Sequence, residues 1–160
     1  MPDRSPTPEA QLFAFFNEVG ILAQLSRALF EARLPPGFNL PQFAVLNHLI
    51  RVKDGQTPLA LARAFQVPKT SMTHSLAVLE REGLVEMRPN AKDGRSKCVF
   101  LTEAGRSFRQ TAIESLMPDM AAITAAYPVD RIAAALPTLS ELRQVMDRMR
   151  DGDAGGKQEF

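Results

Sequence analysis

The residues best suited to binding chemistry lie in two short stretches near the middle of the chain. Lys69, Thr70, Ser71, Thr73 and His74 form the first. Hydroxyls donate and accept hydrogen bonds, an ammonium donates, and a neutral imidazole does one of the two at each ring nitrogen. Such groups can read base-pair edges in a DNA major groove. A protonated His74 would instead partner a phosphate. Arg88, Lys92, Asp93, Arg95 and Lys97 form the second stretch. Narrow grooves concentrate negative potential and draw arginine, which makes Arg95 the leading residue there. Lys92 and Lys97 are expected to add backbone contacts, with Arg63, Arg81 and Arg88 as weaker phosphate partners. Asp93 would repel a phosphate. Its expected role is to orient Arg95 or another basic group by a charge-assisted hydrogen bond, beside its plain role as the turn residue before Gly94. In an arbitrary protein either stretch is ordinary solvated surface. The elements that carry them decide otherwise.

Met72, Leu76 and Leu79 recur at four- and three-residue steps. That spacing predicts a helix from Pro68 to Arg81 with those three side chains inward and the first stretch outward. Gly83 lies just past its end, as a C-cap does. Upstream, Thr57-Pro58 is a cap followed by a helix-starting proline, for a short helix to Phe65. Gln66-Val67 then forms a tight turn. Before that, Pro41 opens a helix over about 41–53, with Phe43, Ala44, Leu46, Leu49 and Ile50 inward, and Asp54-Gly55-Gln56 closes it as a turn. Downstream, residues 84–88 alternate as a strand. Residues 89–97 are polar, with Asp93-Gly94 as the expected hairpin tip, and 98–101 return as the second strand. The order over residues 41–102 is helix, helix, turn, helix, strand, polar hairpin, strand. Two short helices joined by a tight turn can set the second in a major groove, and a hairpin of this size can act as a wing on the flanking backbone or minor groove.

Long helical segments flank this core. Thr7-Pro8 starts a helix to about Arg33, with Leu12, Phe16, Val19, Leu22, Ala23 and Leu29 in one stripe. Phe13, Phe15, Ile21, Leu25 and Phe30 widen it. A helix apolar on more than one face needs more than one partner, here its own domain and a second subunit. Thr102 caps a final helical region reaching about Met149. A kink is expected near Pro118, a break at Tyr127-Pro128, and a kink or split at Pro137. The first eight residues hold three prolines and read as a flexible arm; the last ten hold three glycines and read as a disordered tail.

Composition narrows the function classes. The chain has 160 residues, 45% of them hydrophobic, enough to bury a core. Its net charge of +1 says little until it is divided. Residues 51–97 carry nine basic and five acidic groups, an excess of +4, while 1–50 and 98–160 are at −1 and −2. A local excess is what matters for phosphate attraction, because screening limits each charge to about 10 Å. No apolar run of about 18 residues is present, so no transmembrane helix is expected. The N-terminus has no apolar signal region, and there is one cysteine, Cys98. A cytoplasmic protein is expected. Cys98 begins an apolar strand and reads as a buried, inert thiol. His48 lies beside an apolar helix face and reads as a satisfied buried histidine; with His74 far off, no metal site forms. No Gly-rich phosphate loop, paired-carboxylate motif or Ser/His/Asp arrangement is present, so neither enzyme activity nor a cofactor is expected.

Several segments together carry a family likeness: Leu40-Pro41-Gln42-Phe43-Ala44-Val45-Leu46; Thr57-Pro58-Leu59-Ala60-Leu61-Ala62-Arg63-Ala64-Phe65; Ser71-Met72-Thr73-His74-Ser75-Leu76; and Leu79-Glu80-Arg81-Glu82-Gly83-Leu84-Val85. Arg88, Asp93-Gly94-Arg95-Ser96-Lys97, Leu101-Thr102 and Gly105 follow the pattern R…DxR…LTxxG. On these residues the chain resembles the MarR family of winged-helix regulators. Two departures are that Leu40 stands where many members have a capping Thr, and His74 where many have Arg. The family's peroxide sensors carry a reactive cysteine in the N-terminal helix, and this chain has none there.

The resemblance implies a mainly α fold with a small β-hairpin wing. A winged helix-turn-helix domain at 41–102 would be flanked by an N-terminal dimerisation helix at 9–36 and C-terminal dimerisation helices at 103–150, between an arm at 1–8 and a tail at 151–160. The implied partners are double-stranded DNA and a second copy of the chain. A homodimeric repressor on a pseudo-palindromic operator is expected, released by a small, often aromatic effector lying between the dimer helices and the winged domain. Phe13, Phe15, Phe16 and Phe43 permit such a pocket, though they read as core. The alternative is a ligand-binding or protein-interaction winged-helix protein without DNA binding, which would not require the basic excess at 51–97.

Overall fold

The computed structural model of the chain describes residues 6–155. Its elements run α1 (Pro8–Glu31), α2 (Leu40–Arg51), α3 (Pro58–Phe65), α4 (Lys69–Arg81), β1 (Val85–Asn90), β2 (Asp93–Leu101), α5 (Glu103–Ser115), α6 (Met117–Ala126) and α7 (Val129–Gly155). The fold is mainly helical with one antiparallel hairpin, as the sequence implied. The chain divides into two compact units between Leu116 and Met117.

In the first unit each helix starts where its caps allow. Thr7 accepts from Ala10 N at 3.3 Å, and Thr57 accepts from Ala60 N at 3.2 Å. For α2 the cap is Asn39, one residue before Leu40. Asn39 Oδ1 accepts from Gln42 N (3.1 Å), and Gln42 Oε1 accepts from Asn39 N (3.0 Å). This reciprocal pair satisfies two donors at the helix start. It replaces the cap that Leu40 cannot supply.

The main core joins Val45, Leu46 and Leu49 of α2, Leu61 and Ala62 of α3, and Met72, Leu76 and Leu79 of α4 to Leu84, Val85, Val99 and Leu101 at the wing base. A second cluster of Leu34, Phe43 and Ala112 ties the end of α1 to α2 and α5, with the Phe30 and Phe43 rings 4.5 Å apart. Arg109 of α5 donates to Asn47 Oδ1 of α2 through Nε (3.2 Å) and Nη2 (3.0 Å). α5 therefore packs as part of the winged unit. The expected division at 103 falls inside that unit, because Phe108, Ala112 and Ile113 face its apolar clusters.

The wing differs from expectation in length and tip. Val85 pairs with Leu101 and Met87 with Val99, but the ladder continues to Pro89 opposite Lys97 and Asn90 opposite Asp93. The tip is Ala91-Lys92, and Asp93-Gly94 opens the returning strand. The register shifts between Pro89 and Asn90. Proline has no N–H for the ladder, and the residues around it form local bonds instead. Asn90 Nδ2 donates to Ser96 Oγ (2.9 Å), Lys92 N to Asn90 Oδ1 (3.0 Å), and Ser96 Oγ to Asp93 O (3.1 Å).

No residue of α1 is buried. Phe13 is 76% exposed and Phe16 37%, so of the phenylalanines read as core only Phe43 is buried. The reason is that α1 meets its own unit chiefly at its C-terminal end, through Phe30 and the following Leu34.

In the second unit, Pro118 sits in the first turn of α6, where its missing N–H costs nothing. The chain therefore starts a new helix there instead of kinking one. The break at Tyr127-Pro128 is present, and α7 runs unsplit through Pro137. The expected tail boundary at 151 lies within α7; residues 156–160 of the expected disordered tail and 1–5 of the expected flexible arm fall outside the described residues.

Candidate nucleic-acid interface

α4 presents two unlike faces. Met72, Leu76 and Leu79 are buried in the core. Lys69, Thr70, Ser71, Thr73 and His74 are all exposed on the other side. The Thr73 hydroxyl donates to Lys69 O (2.9 Å), so its oxygen lone pairs are what it offers outward. Pro68 occupies the N-cap and supplies no side-chain bond, which leaves the first-turn amides to outside acceptors. Thr70, Ser71 and His74 also border a concavity of about 490 Å³ floored by Pro41, Val45, Phe65 and Val67.

The α3–α4 turn is tight because Gln66 takes a left-handed conformation, φ 53°. Val67 N then returns to Ala62 O at 3.0 Å. A left-handed turn at a helix end satisfies carbonyls that would otherwise be orphaned. It also fixes the angle at which α4 leaves α3.

In the wing, Lys92 stands at the tip, and Arg95 is exposed in the segment 94–96 that lies outside the paired register. Lys97 is exposed opposite Pro89. Asp93 does not act as expected on a basic side chain. Its Oδ1 accepts from Arg95 N (3.1 Å), so it shapes the backbone that carries Arg95 and leaves the guanidinium to other partners. Arg88 is engaged within the hairpin: it pairs with Glu86 and lies over the Phe100 ring, 4.7 Å from the centroid. It is thus drawn toward the strand surface and away from the tip.

The base of the wing is held by residues that the sequence shows only as a turn. Gly55 N donates to Val99 O (3.0 Å) and Val99 N to Gln56 O (2.8 Å), adding a short bridge to the hairpin edge. Asp54 Oδ1 accepts from Gly55 N (2.9 Å) and Leu101 N (3.0 Å), while Oδ2 lies 3.8 Å from Arg106. Gln56 Nε2 donates to Lys53 O (2.8 Å) and meets His48 Nε2 at 2.9 Å. His48 is therefore satisfied, as read, but half-buried where a buried histidine was expected, and Cys98 is buried. Sequence reasoning missed Asn47, Asp54, Gln56 and Arg109 as positioning residues. Asn47, Arg109 and Asp54 meet partners distant in the chain, and Gln56 acts through its bridge to Val99, so no local spacing signals these roles.

The LTxxG motif also acquires a physical meaning. Thr102 Oγ1 donates to Gly83 O (2.7 Å) and accepts from Gly105 N (3.0 Å), which locks the start of α5 to the end of α4. A Cβ on Gly105 would stand 2.1 Å from Leu84 O, so only glycine allows this approach.

Among the described residues, no group of three or more His, Cys, Asp or Glu is placed to hold a metal, and no helix is long and apolar enough to cross a membrane. Residues 37–96 match the family model described as MarR family. The chain is 28% identical over 122 residues to the transcriptional activatory protein BadR of Rhodopseudomonas palustris, covering 74% of this chain and 70% of that one. Its fold is similar to that of the transcriptional regulator BldR from Sulfolobus solfataricus (TM-score 0.71, 20% identity, 89% of this chain and 99% of the other). It is also similar to a cysteine-to-serine mutant of MarR from E. coli complexed with operator DNA (TM-score 0.67, 22% identity, 86% and 99%). The matched segment, the hairpin and the shared fold together show a winged-helix fold whose residues 37–96 are similar to the MarR family.

Proposed function

We propose that this chain is a cytoplasmic transcription regulator that binds double-stranded DNA sequence-specifically, as a homodimer on a pseudo-palindromic operator. The observation that carries the reading is the division of α4: three buried apolar residues anchor it, and the polar groups of Lys69, Thr70, Ser71, Thr73 and His74 face outward. Lys69, Thr70, Ser71, Thr73 and His74 read base edges in the major groove. Lys92, Arg95 and Lys97 contact the flanking backbone and minor groove, and Arg88 contributes field more than contact. Asp93 shapes the turn that presents Arg95.

The dimer is supported by the uncovered apolar surface of the flanking helices. Leu12, Phe13, Ile21, Leu22 and Leu25 on α1 are exposed, as are Ile132, Leu136, Leu139, Val145, Met146 and Met149 on α7. Apolar surface of this extent is what a second copy covers. We read the protein as a repressor where its operator overlaps a promoter. A small effector would act by favouring a dimer whose two α4 helices are wrongly spaced for successive grooves.

The test is duplex binding as a function of salt. The proposal expects affinity to fall steeply as salt rises, through counterion release. A folded dimer with no duplex binding at low salt would favour the ligand- or protein-binding alternative and end this reading. Within the complex, Arg95→Ala should weaken binding to many sequences alike, by about 1 kcal/mol or more. A changed base preference with affinity intact would reverse the roles given to wing and helix.

A further inference from the structure

The turn after α2 and the wing face one another across a groove of about 450 Å³. Lys53 lies on one wall. Asn90, Ala91 and Lys92 of the wing tip form the other, and Thr57 and Ala60 at the start of α3 contribute to the floor. We propose that this groove seats a DNA phosphodiester, held by Lys53 from the turn and Lys92 from the wing. The inference rests on the duplex-binding reading above and adds Lys53, which the sequence did not single out.

Charge argues for this occupant. The groove is lined by two lysines and by no carboxylate. Asp54, next to Lys53 in the chain, is committed elsewhere: one carboxylate oxygen to Gly55 N and Leu101 N, the other toward Arg106. It does not neutralise the lysines. Rigidity argues the same way. Lys53 O accepts from Gln56 Nε2 (2.8 Å), and Gln56 is in turn bonded to His48 and bridged to Val99. The ammonium thus projects from a turn fixed to both α2 and β2, while its own side chain stays exposed. On the opposite wall, Lys92 N is held by Asn90 Oδ1 (3.0 Å). Two cations on separately braced walls can bracket one strand of backbone without reading its sequence. A wing contact made in this way fixes register as well as adding affinity.

The experiment compares log Kobs against log salt for the wild type and for Lys53→Ala on one operator duplex, with phosphate ethylation interference on the same complexes. Each lost phosphate contact should flatten the slope by about 0.9. Lys53→Ala is expected to flatten it by about that amount per subunit and to erase interference at one phosphate per half-site. Base preference in a random duplex pool should be unchanged. Lys53→Arg should restore the slope, and Lys92→Ala should erase interference at the same phosphate. An unaltered slope and footprint in Lys53→Ala, with wild-type binding intact, would overturn this inference and leave the proposed function standing. Absence of duplex binding by the wild type would overturn both. A lowered melting temperature in Lys53→Ala with no footprint change would assign Lys53 to the fold and also count against the groove.

Discussion

The winged unit and the long outer helices spend their apolar residues in opposite ways. In the first, Val45, Leu46, Leu61, Leu79 and Val99 are at most 1% exposed. Its turns are cross-bonded by side chains from four elements. In the second, α1 has no buried residue, and Ile132, Leu136, Leu139, Val145, Met146 and Met149 on α7 are exposed. The winged unit closes its core within one chain, whereas α1 and α7 leave large apolar side chains exposed. A reading head must hold its side chains to a fixed geometry, so it is built on a closed core. In the proposed function, these exposed apolar faces are where a second copy docks and where control acts.

The comparison can be broken most directly at the core. Leu46→Ala should cost about 2–5 kcal/mol, because it leaves a cavity among residues that cannot collapse into it. Denaturant unfolding would measure this. A loss below 1 kcal/mol would mean that the winged unit is less closed than described. Gly105→Ala comes next, at about 1–3 kcal/mol from overpacking against Leu84 O. Calorimetry should show the loss, and duplex affinity should fall with it, since α5 and the wing base share this contact.

The outer helices should answer differently. Leu22, 62% exposed in the single chain, can be changed to Glu with little effect on the winged unit. The proposed dimer is expected to weaken by about 1–2 kcal/mol, seen by sedimentation-velocity ultracentrifugation as more monomer at a given concentration. Unchanged self-association would show that α1 lies outside the interface.

The smallest effect sharpens the border between the two regions. Glu31, at the end of α1, accepts from Leu40 N (3.0 Å) and pairs with Arg27 (3.2 Å). The backbone bond from Leu40 is the main cause that holds its carboxyl below the usual value, with Arg27 assisting and partial burial opposing. A depressed carboxyl stabilises the fold above its unfolded value and loses that contribution as pH falls through its folded value. Glu31→Gln keeps the acceptor and removes the charge. The variant should be slightly less stable than wild type near neutrality, and the gap should close in acid. A gap that stays constant with pH would show that the α1–α2 clasp does not depend on charge.

The order of elements was legible in the sequence because it rests on local chemistry. Thr7, Thr57 and Thr102 each cap the helix expected of them, and Met72, Leu76 and Leu79 define the buried face of α4 by spacing alone. The outward set on α4 follows from the same period. The wing was legible in type but not in detail. Asp93-Gly94 has the composition of a hairpin tip, yet the side-chain bonds among Asn90, Asp93 and Ser96 moved the tip to Ala91-Lys92.

What the sequence determined by itself was the helical periods, the caps and the types of residue offered to a partner, since each depends on neighbours within a few positions. Tertiary structure alone decided the rest. It laid Arg88 on Phe100 across the hairpin. It joined Arg109 to Asn47 and Asp54 to Leu101, and it brought Lys53 across from Lys92. These pairings depend on loop closure and packing between distant segments, and no short window of residues carries that information.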